Sequence, residues 1–265
     1  MEENLQLALN EFSKKARALF GDELVGIYLT GSIAFGSYHY KKSDIDFTVL
    51  LKAPLSDDYL KPLEKLHKEL TTAFPYQKFE GHYISKSDLG KQPYEIQPVF
   101  AFHDSRLSKS HHDINRVTWF TLKNHGITVF GKPMSELDFD VSMQELTKYV
   151  IDNLNSYWVY WLSGIKKLMS VKGVFALHHS AVEWGVMGVC RMYYTLIEHD
   201  VTSKDSATQY ALSHVPDKYK HILKEAIFIR TKKGKRQYLS PFKRKNDMID
   251  FMDFMIGECN KIYKV

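Results

Sequence analysis

Cysteine is nearly absent: Cys190 and Cys259 are the two in 265 residues, and neither stands at a metal-ligand spacing or in a redox pair. Both fall within apolar helical patterns, which predicts buried free thiols in a reducing compartment and excludes a disulfide-stapled scaffold. Long hydrophobic runs are missing too. No apolar stretch approaches the roughly 20 residues that cross a bilayer, so no membrane partner is expected. The N-terminal Met-Glu-Glu-Asn is acidic and opens directly into an amphipathic pattern, without a secretory leader, and a cytoplasmic protein is expected. Internal repeats and low-complexity segments are absent. What remains is a globular composition, 44% hydrophobic and 25% charged, with a net charge of +5. Such mild basicity suits polyanions and nucleotide phosphates alike and decides little.

The informative stretch is Leu29-Thr30-Gly31-Ser32, followed by Ser43-Asp44-Ile45-Asp46-Phe47. Residues 25–30 are a β-branched and aromatic run leading into Gly-Ser, which predicts a strand, a tight turn and a helix start. Residues 44–51 predict a second strand. Side chains alternate along it, so Asp44 and Asp46 share one face while Ile45 and Phe47 point into the opposite layer. Two carboxylates about 7 Å apart on one strand face repel unless a cation lies between them. Mg²⁺ fits, being hard, oxygen-seeking and content to keep phosphate oxygens in its shell. Gly31 permits close backbone approach to a ligand, and Ser32 offers a hydroxyl and an N–H to phosphate.

Along the chain, residues 3–20 predict an amphipathic helix with Leu5, Leu7, Leu9, Phe12, Ala16 and Phe20 as its apolar stripe. Ser56 or Asp57 caps a helix to about residue 74, with Leu60, Leu63, Leu66 and Leu70 buried. Residues 77–84 read as a third strand that carries Glu80, placed to face the aspartates from a neighbouring strand. Residues 85–112 are the least legible, with a short strand at 99–102 and the pair His111-His112 read as surface loop. A helix at 113–125 and a short strand at 127–130 follow, then a turn-rich connector. From 141 onward helices are expected at 141–169, 175–198, 203–212, 216–230 and 247–263. The chain is therefore expected to be α+β, with a mixed α/β part at 1–138 and an all-α bundle at 139–265.

Glu183 and Arg191 stand in the densely apolar helix at 175–198, where an ion without a partner costs several kcal/mol. Eight residues apart, they are too distant along the helix to pair. A triphosphate suits Arg191 and an acceptor ammonium suits Glu183; salt bridges to neighbouring helices serve both equally well.

Gly-Ser, a spacer and Asp-hydrophobic-Asp resemble the signature of the polymerase-β-like nucleotidyltransferases. Arg191-Met-Tyr-Tyr-Thr with Lys204 at a helix start resembles the C-terminal helical domain of aminoglycoside O-adenylyltransferases of the streptomycin/spectinomycin type. The resemblance implies that Gly31, Ser32 and Ser43 hold nucleotide phosphates and that Asp44 and Asp46 bind two Mg²⁺ ions. It implies that Glu80 completes the metal site or takes the proton of the acceptor hydroxyl. It further implies that Arg191 and Lys204 reach the triphosphate of ATP across a cleft closed by the helical domain. AMP would pass to a hydroxyl of a cationic antibiotic, with pyrophosphate released, and Glu183 would face the acceptor. A monomer without a nucleic-acid partner is expected.

Departures from the family lie on the acceptor side. The family's Gly-Glu-Trp segment is replaced by Gln97-Pro-Val-Phe-Ala-Phe-His103, and Ala181 stands where an acid opens the Arg-bearing helix. The basic run at 230–236 replaces a loop with a nucleotide-contacting tyrosine. Two alternatives stay open. One is transfer to a lincosamide, metabolite or protein. The other is a non-catalytic nucleotide- or RNA-binding module, supported by the basic clusters at 230–236 and 243–245.

Overall fold

The computed structural model describes residues 3–167 and 170–263. It divides into two compact units, Met1–Ser142 and Met143–Val265. In the first, helix α1 (Glu3–Phe20) precedes β1 (Leu24–Leu29), the single-turn α2 (Gly31–Ala34) and β2 (Asp44–Leu51). Then come α3 (Leu60–Ala73), β3 (Lys78–Ser85), a hairpin of β4 (Val99–His103) and β5 (Arg106–Ser110), α4 (Arg116–His125) and β6 (Ile127–Gly131). The strands form one mixed sheet in the order β5-β4-β3-β2-β1-β6, in which only β2 and β3 run parallel.

The period-two pattern of β2 sorts its side chains as expected. Ile45, Phe47, Val49 and Leu51 are buried in a core with Leu5, Leu9 and Phe12 of α1 and Leu63, Leu66 and Leu70 of α3. Phe12 packs on Phe47 and Phe79 with ring centroids 5.0 and 5.1 Å apart, which fastens α1 across β2 and β3. Two residues of the expected stripes, Leu7 and Leu60, are instead 52% and 39% exposed. Leu60 opens α3 directly after a 3₁₀ turn at Asp57–Tyr59, ahead of the turns that meet the core.

His67 of α3 is buried beneath the sheet. Its Nε2 lies 2.8 Å from the Tyr83 hydroxyl, and its ring stacks on Phe102 at 3.7 Å. Burial pushes it down to about 3, so the folded protein keeps it neutral. The unfolded chain protonates it below about 6.5, hence stability is full above that pH and declines as pH falls toward 3. The expected slope from His67 is about 1.4 kcal/mol per pH unit between pH 6 and 4. Chemical denaturation at stepped pH checks this against His67→Leu, which should lose that increment of slope; equal slopes would refute it.

The second unit contains α5 (Met143–Asn153), α6 (Val159–Lys166), α7 (Val171–Phe175), α8 (His179–Glu198), α9 (Lys204–His214), α10 (Lys220–Thr231) and α11 (Pro241–Tyr263). The helix expected at 141–169 is interrupted by a π-helical turn at Leu154–Trp158 and ends at Lys166; Leu168, part of its apolar pattern, lies outside the described residues. Ser203 caps α9 by accepting the N–H of Ser206 at 3.1 Å. Cys190 and Cys259 are buried free thiols. No helix among the described residues is long and apolar enough to cross a membrane.

The last helix begins six residues earlier than its pattern suggests, and this corrects the reading of 243–245 as a charged surface. Arg244 and Lys245 are only 2% and 3% exposed. Lys245 donates to the Gly173 carbonyl at 2.9 Å, and Arg244 donates to Leu177 O at 2.6 Å and to His179 Nδ1 at 2.7 Å. Cations consumed inside the bundle cannot form a nucleic-acid footprint, so the RNA-module alternative loses half of its support.

Candidate active site

At the end of β1 the chain passes through Thr30 in extended geometry and turns at Gly31, whose φ is +59°. The Thr30 N–H donates to the Asp46 carbonyl at 3.0 Å, which ties the turn to β2. A Cβ on Gly31 would come within 1.7 Å of Asp46 Oδ2, so the left-handed backbone and the lack of space both demand glycine. The Ser32 hydroxyl is buried without a hydrogen-bond partner among the described residues. Buried polar atoms are nearly always paired, and one left over in the turn that presses on Asp46 points to a ligand. Ser43 has a structural duty as well: its Oγ accepts the His39 N–H at 3.0 Å and closes the loop before β2.

Parallel pairing of β2 with β3 sets Asp46 opposite Glu80 and Asp44 opposite Lys78. Asp44, Asp46 and Glu80 thus share one face, with the last two side by side on strands about 5 Å apart. The antiparallel register of β3 with β4 continues the row to His103. His103 Nδ1 is 3.0 Å from Glu80 Oε2, and the Asp104 N–H points at Glu80 Oε1 at 3.5 Å. Glu80 is 16% exposed and His103 41%.

Sequence reading missed the group behind Glu80. His112, read as loop surface, stacks on His103 with centroids 3.7 Å apart, and its Nε2 stands 3.1 Å from Asp113 Oδ2. That hydrogen-bonding charge raises His112 against its burial, with Asp113, Glu80 and Asp104 adding to the effect. Burial alone would push the Asp113 carboxyl up; His112, with His82 and His103 behind it, outweighs this and holds it below the usual range. Asp113 itself has φ +56°, which stops the helix expected from 113 and leaves Asn115 to cap α4. The available signal was alternation: in Val-Phe-Ala-Phe-His, residue 103 falls on the face opposite the two phenylalanines.

In the helical unit Arg191 is half-buried on α8, and Lys204 is the first residue of α9, its Nζ 5.2 Å above the Trp184 ring. Glu183 has the neighbouring-helix salt bridge. Arg230 of α10, 9% exposed, places NH1 2.7 Å from Glu183 Oε1 and Nε 2.7 Å from Asp205 Oδ1. A buried ion is satisfied by its helix neighbours here, so the bundle explains Glu183 with no acceptor present. Arg230 is accordingly part of the core and not of the basic loop that follows it.

A nucleotidyltransferase domain model matches residues 9–102, and an aminoglycoside adenylyltransferase C-terminal domain model matches residues 170–257. Among solved structures, spectinomycin adenyltransferase AAD(9) from Enterococcus faecialis, with ATP and spectinomycin, aligns over 95% of this chain and 99% of its own. The identity is 16% and the TM-score 0.68, a likeness of fold. A toxin-antitoxin with AMP-PNP covers 57% of this chain at 18% identity, with a TM-score of 0.31, no more than a partial likeness. No curated protein matches. The chain thus joins a nucleotidyltransferase domain, over residues 9–102, to a C-terminal domain of the kind found in aminoglycoside adenylyltransferases, over residues 170–257, a make-up that supports an adenylyltransferase enzyme.

Proposed function

We propose that the protein transfers AMP from MgATP to a hydroxyl of a small cationic acceptor, with an aminocyclitol of the spectinomycin or streptomycin type as first candidate. The observation that carries this reading is the shared face of Asp44, Asp46 and Glu80, with the Gly31 turn pressed against Asp46. The donors fit magnesium: Asp44 and Asp46 offer hard carboxylate oxygens, and the unpartnered Ser32 hydroxyl lies at the adjoining turn. Bound there, Mg²⁺ neutralises charge that develops on the phosphates.

The chain's own groups then divide the work. The bare backbone of Gly31 and the Ser32 hydroxyl cradle the β and γ phosphates, and Arg191 and Lys204 of the helical unit are cations of the type that binds phosphate oxygens. Glu80, held in one orientation by His103, accepts the proton of the acceptor hydroxyl. The freed oxygen attacks the α-phosphorus in line, the bond to the bridging oxygen breaks, and pyrophosphate departs. The acceptor named for AAD(9) is the first to try because that protein shares this fold along its full length.

The test pairs pyrophosphate release with product mass for MgATP and a panel of spectinomycin, streptomycin and a lincosamide. One antibiotic should yield an adenylylated product. MgATP at a hundred times its Kd should stabilise the protein by about 2.7 kcal/mol, and the true acceptor should add to this only once nucleotide is bound. Failure of the whole panel to release pyrophosphate would remove the antibiotic reading.

A further inference from the structure

Glu80 belongs to a second constellation that adenylyl transfer does not use in full. Glu80, His103 and His112 each bring one ligand atom to within 4.8 Å of the other two. We propose that these three residues form a transition-metal site of the zinc class, distinct in its donor set from the Asp44–Asp46 pair, and that its occupation withdraws Glu80 from the transfer reaction. The second clause rests on the reading of Glu80 as proton acceptor; the first does not.

Donor chemistry supports the assignment. Two imidazoles and one carboxylate suit zinc, nickel, cobalt or copper and suit magnesium poorly, whereas Asp44 and Asp46 are oxygen donors only. Each histidine also has a carboxylate behind it. His103 Nε2 lies 3.3 Å from Asp104 Oδ2, and His112 Nε2 lies 3.1 Å from Asp113 Oδ2. Such outer carboxylates fix the tautomer of a ligating imidazole and raise its basicity, and here they leave His103 Nδ1 directed at Glu80.

Distances set what must move. Metal–ligand bonds of about 2.1 Å with tetrahedral angles separate donors by about 3.4 Å. Glu80 and His103 are already 3.0 Å apart. His112, now stacked face to face on His103, must swing until its lone pair converges, a side-chain rotation in a loop residue. With 41% exposure, His103 gives an incoming ion a path from solvent. Three protein ligands leave a fourth position for water.

Tag-free, chelator-stripped full-length protein is titrated with ZnCl₂ against a chromophoric zinc competitor, without ATP or magnesium. One ion per chain is expected. His103→Ala and His112→Asn should each weaken binding at least tenfold, while Asp46→Asn should leave it unchanged; melting curves confirm that all three variants fold. Absent binding, or binding indifferent to both histidine changes, overturns the site and leaves the transfer reading intact. Zinc at saturating occupancy should arrest pyrophosphate release by the wild type and spare His112→Asn. Full turnover by the zinc-loaded wild type would overturn the second clause, and with it Glu80 as proton acceptor.

Discussion

Asp46→Asn is expected to lower adenylyl transfer about a thousandfold and to leave the melting temperature unchanged or slightly raised. The carboxylate stands in register with Glu80 and against the backbone of Gly31. Asparagine preserves the shape of that contact and the Thr30 N–H bond, which goes to the backbone carbonyl. What disappears is one unit of negative charge from an oxygen-rich face. A metal's stabilisation of transferring phosphate is worth several kcal/mol, and about 4 kcal/mol corresponds to a factor near 10³. Relief of repulsion among Asp44, Asp46 and Glu80 acts oppositely on stability, the usual exchange at a functional site. Steady-state pyrophosphate release and a melting curve on the same sample check both halves; undiminished turnover would dismiss the proposed mechanism.

Arg244→Met is expected to produce the largest loss of stability in the helical unit, about 3–5 kcal/mol. Glu225 is fully buried, with Arg244 NH1 at 3.4 Å from its Oε1 and the Gln237 N–H donating to its Oε2 at 2.7 Å. Burial and then the Arg244 charge keep His179 below its ordinary range, so its Nδ1 accepts from the guanidinium. Without the arginine, Glu225 becomes an uncompensated buried anion, and the Leu177 carbonyl loses its donor. A fall of roughly 10 °C in the melting transition follows from that energy. Arg244→Met combined with Glu225→Leu should recover most of it, because apolar groups replace a buried pair at little cost. Thermal denaturation of the single and double variants measures this; an unaltered single variant would contradict the buried-pair account.

The legible parts of the chain were those in which a strong period met a punctuating residue. Gly31, the alternation from Asp44 to Leu51 and the Ser203 cap wrote their local structure plainly, because backbone freedom, pleat and capping each act within a few residues. Glu80 could be placed on a strand from its own segment, but its alignment with Asp46 belongs to strand pairing. The β5 strand escaped notice since Arg-Leu-Ser-Lys-Ser is a solvated edge with no buried face to leave a pattern. His112 was misread for another reason: beyond its neighbour Asp113, its partners His103 and Glu80 come from two other strands, and only the sheet pairing brings them together. Arg244 and Lys245 misled because charge density reads as surface, whereas these two cations satisfy carbonyls and a carboxylate inside a bundle.

Arg230 joins Glu183 on α8 to Asp205 on α9, and so spans the two helices that present Arg191 and Lys204. The gap between those two positive charges is consequently governed from α10, by a guanidinium whose own hydrogen bonds are spent on carboxylates. The spacing of these two cations is thus a property of three helices held in common, and drift at Arg230 would reach both at once.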